Sequence, residues 1–403
     1  MGELYELPDG WEWKQISDVL SDIKTGTTPP KKEQKYYDNA TISWLSPSDF
    51  GEHKELSNSK NKINQIAITD KKAKIYQPNS LLLVAIGATV GKIGIIRSEA
   101  SSNQQITAMM FKNNIDVDFS YYWFVRMKQK IIDSSSAATL PIINQTGIKS
   151  LPFPLPPLPE QQRIVSKLDL LFKKIDRSIA LHQKNMDEAD LFMGSVLNNV
   201  FGELEEKYPL KSIGSFSKVG TGVTPLKSRN DFYENGNKNW ITSKATNNDY
   251  VYEAEHLITE IALNECRLKI NPIGTIVVAL YGQGKTRGQV SELMIETATN
   301  QALATILVDA NQSINTYLKY FLKKSYIDIR EKASGGTQPN LNLSIIKNIE
   351  LPLPPLTIQQ KVVKYLDEIS KKIEKIKSVQ KEKMASLTAL KASILDRAFK
   401  GEL

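Results

Sequence analysis

The 403-residue sequence predicts an α+β protein built twice: two similar mixed α/β globular domains separated by an antiparallel coiled coil of two long helices, with a pseudo-two-fold internal repeat. Three observations predict it. LPPLPEQQRIVSKL at 155–168 returns as LPPLTIQQKVVKYL at 353–366. Other marks repeat in the same order: TGTTP at 25–29 with TGVTP at 221–225, Trp44 with Trp240, SNQQITAMM at 102–110 with TNQALATIL at 299–307, and FGEL at 201–204 with FKGEL at 399–403. After each repeated phrase, apolar residues recur at spacings of three and four, the seam of a coiled coil. A collinear set with slowly drifting offset is a tandem duplication with small loop insertions.

The order of elements follows. Trp11 and Trp13, two apart, form a strand face in LPDGWEWKQISDV at 7–19. Short strands are predicted over 80–86, 93–97 and 274–281, separated by Gly, Asn and Pro turns, and helices over 120–132 and 313–329. Strands and helices do not alternate regularly, which argues against a doubly wound sheet. Prolines fix φ and remove backbone donors, so 155–159 and 353–355 are extended, and a helix starts after each. The first stripe uses Ile164, Leu168, Leu171, Ile175, Phe192 and Val196; the second uses Val362, Leu366, Ile369, Ile373, Leu390 and Ile394. About 40 residues at 1.5 Å rise make a rod of roughly 60 Å with little globular body to lie on, so each seam needs the other copy. Its middle is polar, with Ser178, His182 and Asn185 in one copy and Gln380 and Lys383 in the other. Such a layer either fixes register or frays. The boundaries are 1–153 for the first mixed unit, 154–204 for the first helical segment, 205–351 for the second unit and 352–403 for the second segment.

Composition narrows the function classes. With 41% hydrophobic residues there is ample material for cores, and the longest apolar run, LLLVAI at 81–86, is far short of a membrane span. The beginning MGELYELPDG has neither the basic region nor the apolar core of a secretory signal, and one cysteine, Cys266, excludes a disulfide framework, so a reducing, cytoplasmic setting is expected. The net charge is +8, and its excess sits largely on 355–403, where eleven basic side chains face six acidic ones. A basic balance fits nucleic acid or, equally, a solvated Lys-rich face.

No catalytic set assembles. GATVGKIG at 87–94 and YGQGKTRG at 281–288 are near misses of a phosphate loop, and each reads as a Gly-rich turn after an apolar strand. LYGQG at 280–284 lacks the partner motif of an amino-methyltransferase, and His53, His182 and His256 have no ligand spacing, so no metal is expected. Glu12-Trp13-Lys14 lacks the further acid of a nuclease, and no Ser-His-Asp arrangement is present.

PLPPLPEQQRIV followed by a long helix and FGEL, repeated as PLPPLTIQQKVV ending in FKGEL, together with the opening LPDGWEWKQISDV, closely resembles the specificity subunits of type I restriction-modification systems (S, HsdS) over essentially the whole chain. The second copy departs from it, with Thr357-Ile358 in place of Pro159-Glu160. The resemblance implies a non-catalytic, DNA-binding subunit of a DNA methylation and restriction complex. Its two target recognition domains would each read one half of a bipartite site. The helical spacer would set the gap and dock two methylation (M) subunits, with restriction (R) subunits in the full complex. No cofactor is expected in this chain, S-adenosylmethionine belonging to the partner methyltransferase. The alternative is a two-headed coiled-coil scaffold for protein partners. Arg or Lys toward guanine, Asn or Gln toward adenine, and Ser or Thr toward phosphate make the recognition candidates. They are Thr27, Ser46, Ser48, Lys92, Asn144 and Gln145 in the first unit, and Thr224, Ser243, Lys244, Lys285, Arg287, Gln338 and Asn340 in the second. Turn capping by small polar groups is the competing role for each.

Overall fold

The computed structural model describes residues 5–51, 53–57, 59–135, 141–282, 284–333 and 340–403. The chain divides into two compact units, 1–182 with 382–403, and 183–381, so each unit takes part of both long helices. Among the described residues no helix is long and apolar enough to cross a membrane.

In the first unit an antiparallel sheet runs in the order Leu20–Thr25, Ile106–Phe111, Ser80–Val84, Ile93–Ile96. All five residues of Ser80–Val84 are buried because both faces are covered. Leu81 and Leu83 pack under the helix Val117–Ser134, whose Phe119, Trp123, Met127 and Ile131 share their cluster, while Leu82 and Val84 face Leu45, Phe50 and Tyr76. Asp116 starts that helix by accepting from the Asp118 and Phe119 amides at 2.8 and 3.0 Å. A smaller sheet orders Asn61–Ile63, Ile42–Leu45 and Ala100–Ser102, and Glu12–Gln15 pairs with Pro152–Leu155.

The second unit repeats the plan. Its sheet runs Ser217–Thr221, Leu303–Val308, Ile276–Ala279, Val290–Leu293, with Tyr250–Val251 added in parallel at the edge. A smaller sheet orders His256–Ile258, Lys238–Ile241 and Ala298–Thr299, and Leu210–Ser212 pairs with Glu350–Pro352. The helix predicted over 313–329 is two, Asn315–Lys324 and Tyr326–Glu331, broken at Ser325, whose ψ of 9° leaves the helical range.

The repeated proline phrase leads into the helices Leu158–Lys207 and Leu356–Phe399, 50 and 44 residues long and so longer than predicted. Its purpose lies in one glutamine of each copy. Gln161 is fully buried; its Oε1 accepts from the Asp116 amide at 2.8 Å, and its Nε2 donates to the Pro156 and Asn114 carbonyls at 2.9 and 3.2 Å. Gln359, also fully buried, makes the same bonds to Ile314 N, Pro354 O and Gln312 O at 2.9, 2.8 and 2.9 Å. The proline ahead of each helix cannot satisfy these backbone groups, and the glutamine amide does. Loss of the glutamate in the second copy changes little: Glu160 pairs with Arg163 at the surface, whereas Ile358 packs against the second core, and both helix starts bond back to Pro157 or Pro355.

Within each unit the helical segments run antiparallel. In the first, Asp176 meets Lys391 at 2.7 Å and Arg163 reaches the Leu403 carbonyl; in the second, Asp190 meets Lys377 at 2.9 Å while Leu204 and Val362 line one hollow. Ile164, Leu168, Ile175, Val196, Leu366 and Ile373 are buried, and Leu171, Val362, Ile369 and Ile394 pack against the two cores. Phe192 and Leu390 do not join them: they are 57% and 46% exposed. The three-four alternation is entered half a step later, through Phe172, so Met193 and Lys391 take the inward seats. Lys391 lays its stem beside Phe172, its ammonium 4.8 Å from the ring centre, and ends on Asp176. Asn185 and Lys383 of the predicted polar layer are exposed for the same reason.

Candidate nucleic-acid interface

Strand direction places the candidate loops at one edge of each sheet. In the first unit that edge collects the end of Leu20–Thr25, the start of Ile106–Phe111 and the hairpin between Ser80–Val84 and Ile93–Ile96. The smaller sheet adds Ser46, directly after Leu45, whose carbonyl accepts from the Asn103 amide at 3.0 Å. Two features of the repeat build this junction. A Cβ on Gly26 would lie 2.2 Å from the Asn103 carbonyl oxygen, and one on Gly222 would lie 1.6 Å from the Thr299 carbonyl oxygen, so only glycine permits the crossing. Trp44 and Trp240 each donate an indole N–H at 3.2 Å, to the Thr27 and Val223 carbonyls, and hold the loop from beneath. Tyr37 and Tyr233 repeat the device on Pro29 and Pro225 at 2.7 and 2.6 Å, and burial pushes both phenol pKa values up.

Several candidates spend their polar atoms on the fold. Ser46 sits in a capping box with Asp49 at 2.7 Å and touches Ser48 at 2.9 Å; Asn144 caps the turn at Gly147. The Thr27 hydroxyl donates to the Lys72 carbonyl, and the Lys92 ammonium to the Phe50 carbonyl at 2.9 Å, so Lys92 is a half-buried staple rather than a free cation. Gln145 donates from Nε2 to Thr25 Oγ1 at 2.9 Å. In the second unit Thr224 bonds Gln301 Oε1, and Lys244 is exposed on the short turn Ser243–Asn247. Gln338 lies outside the described residues; Asn340 precedes Leu341, whose amide bonds the Leu280 carbonyl, which brings it to the same edge.

Within the Gly-rich loop, residues 284–287 are held from one side. Arg330 donates to the Arg287 and Gly284 carbonyls at 2.5 and 2.8 Å, and the Tyr326 hydroxyl to the Lys285 carbonyl at 2.6 Å. Gly282, Gly284 and Gly288 have φ of 145°, 60° and 85°, which a side chain would resist. Lys285 is exposed on this loop. Among the described residues no cluster suited to a metal ion occurs.

Comparison with known proteins decides what such a doubled edge belongs to. The family model of the type I restriction modification DNA specificity domain matches residues 8–187 and again 205–383. The chain belongs to that specificity family. It is 24% identical to the type I restriction enzyme MjaIX specificity subunit of Methanocaldococcus jannaschii, covering 100% of this chain and 95% of that one. With the EcoR124I/EcoR124II specificity subunit of Escherichia coli it shares 23% identity over 91% and 89%. Its fold is similar to a chain in a structure of complex assembly and conformational transition of the type I R-M system, TM-score 0.77 at 20% identity, covering 99% and 100%. It is also similar to the HsdS subunit from Thermoanaerobacter tengcongensis, TM-score 0.53 at 19% identity over 99% of each chain.

DNA recognition through two target recognition domains is therefore the role of this specificity-family chain. Its edges carry residues that loop chemistry alone did not single out: Thr25, Asn103, Gln104 and Gln105 in the first unit, and Thr221, Asn300 and Gln301 in the second. Asn103 turns back to accept from the Gln105 amide at 3.0 Å, and Thr28 bonds Gln104 as Thr224 bonds Gln301. Their signal was in the sequence, because the Asn-Gln pair recurs in both halves at the start of equivalent strands.

Proposed function

We propose that each unit reads one half of a bipartite duplex site with the loop edge just described. The paired helical segments set the gap between half-sites and dock methyltransferase subunits that hold S-adenosylmethionine, with restriction subunits joining the full complex. The chain itself is the non-catalytic reader. One observation carries this: the same edge, with a Gly crossing, a Trp brace and a Thr–Gln pair, is built twice on equivalent sheets, while the exposed side chains on it differ. Amide and hydroxyl groups suit base edges and phosphates, and Lys244 and Lys285 supply charge. Leu170, Leu181 and Leu390 in the first unit, and Leu191, Phe192, Tyr365 and Ile376 in the second, leave apolar surface on the helices, which supports docking of partners there.

The test is selection from randomised duplex DNA by the full chain with its methyltransferase partner, repeated across salt concentrations. Two short half-sites at a fixed gap, with affinity falling steeply as salt rises, are expected. A single uninterrupted site, or binding indifferent to salt, contradicts the proposal.

A further inference from the structure

The second unit has a hollow at its reading edge, beside the residue equivalent to one that makes a cross-loop bond in the first unit. In the first unit Gly91 and Lys92 close the hairpin after Ser80–Val84 through Gly91 N to Val84 O and Val84 N to Lys92 O. The second unit closes with Gly288 N to Ala279 O and Ala279 N to Gln289 O, so Gln289 stands where Lys92 does. Lys92 reaches across and donates to Phe50 at 2.9 Å. Gln289 makes no such bridge: its Oε1 is buried without a hydrogen-bond partner. Beside it opens a hollow of about 460 Å³, lined by Asn247, Asp249, Lys285, Gln289, Lys323 and Tyr326 among others. That volume lies within the range of roughly 300–1,000 Å³ typical of ligand sites.

The floor is rigid. Lys323 pairs with Asp249, and behind them Lys319, 1% exposed, meets Glu292 at 3.0 Å with its ammonium 3.3 Å from the Tyr250 ring centre. The walls include Thr246 and Asn247 of the turn Ser243–Asn247, and Lys285 and Gly288 of the hairpin between Ile276–Ala279 and Val290–Leu293.

We infer that this hollow is the specificity-determining seat of the second unit, receiving a base edge that bears an exocyclic amino group, with the Gln289 amide turning into the hollow to accept from it. The inference rests on the DNA-reading proposal. An unpartnered buried acceptor is costly as it stands, a base amine supplies the missing donor, and Gln is suited to adenine while a lone acceptor also suits cytosine. Lys285 at the rim serves the neighbouring phosphate.

The experiment is duplex selection with the full chain and its methyltransferase partner, comparing wild type with Gln289→Lys, which copies the first unit, and Gln289→Met, which removes the acceptor at similar size. Expected is a loss of roughly tenfold or more in preference for adenine or cytosine at one position of one half-site, with the other half-site unchanged. The base lost tells adenine from cytosine. Gln289→Met should melt no lower than wild type, because it removes an unsatisfied group. Unchanged preferences in both variants, or a Gln289→Met protein that melts lower and still selects the same bases, overturns the inference. A wild type that recovers no paired half-sites overturns the DNA-reading proposal and, with it, this one.

Discussion

The two units share the hydrogen bonds that anchor their long helices and diverge where charge is handled. Both start their long helix on a buried glutamine amide, and both tie a tyrosine to an aspartate about two turns further along, Tyr122 to Asp169 and Tyr320 to Asp367. Burial pushes both phenols up, and the neighbouring carboxylate adds to it. Around that common frame the first unit spreads its charges near the surface, with Lys54 and Arg97 sharing Asp118 at 3.0 and 2.7 Å. The second buries one pair, Lys319 with Glu292, where burial pulls the lysine pKa down against the carboxylate that raises it. The contrast teaches that the duplication kept the hydrogen bonds no neighbour could replace, and let charge vary where water or a pairing partner could compensate.

The glutamines break the comparison most severely. Gln161→Leu or Gln359→Leu strands an amide and two carbonyls, each worth about 1–3 kcal/mol, so either variant should lose about 3 kcal/mol of stability or more. Urea unfolding gives the size, and hydrogen exchange should locate each loss in its own unit. Comparable losses confirm a shared framework; a loss in only one copy separates them.

Next come the lysines. Lys319→Met leaves Glu292 buried without its partner and should cost about 3 kcal/mol, while replacing both residues by apolar ones should recover most of it. Lys54→Met, at a site 22% exposed, should cost about 1 kcal/mol or less, both lysine variants being measured by urea unfolding.

The glycine crossings sharpen the comparison further. Gly26→Ala and Gly222→Ala should each cost about 1–3 kcal/mol through forced displacement of the facing backbone. Gly222→Ala should be the worse, because its approach is 1.6 Å against 2.2 Å. Each should weaken selection at its own half-site only.

Acid is the gentlest probe. Burial alone would raise the Asp118 pKa, and Lys54 and Arg97 overcome that and hold it below the usual carboxylate range. A depressed carboxylate adds stability above its unfolded value near 4, and that stability is lost as pH falls through the folded value. Asp396, held down by Lys400 and also by Arg126, acts in the same direction. The residue at the Asp118 position of the second unit is Thr316, which cannot titrate. Hydrogen exchange below about pH 4 should therefore show the first unit opening first, and Asp118→Asn should flatten the difference.

Much of this was legible in the sequence. The tandem plan, the mixed sheets and both helices followed from repeats, prolines and apolar spacing, because each reports a local backbone constraint. The seam was read half a step out at Phe192 and Leu390, since leucine and phenylalanine outrank a lysine stem in any apolar count although Lys391 packs inward. The break at Ser325 left no mark in the pattern. At the edges, Lys92 read as a cation for DNA, yet a carbonyl 42 residues earlier claims it. The roles of Gln104 and Gln301 depend on a strand crossing that only the glycine contacts reveal.

The central claim is that each unit reads its half-site independently of the other. Exchange of residues 205–351 for the equivalent unit of another family member, followed by methylome sequencing of cells expressing the chimera with its methyltransferase, tests it most directly. The account predicts a new sequence in one half-site with the other half and the gap retained. A change in both halves, or in neither, would contradict it.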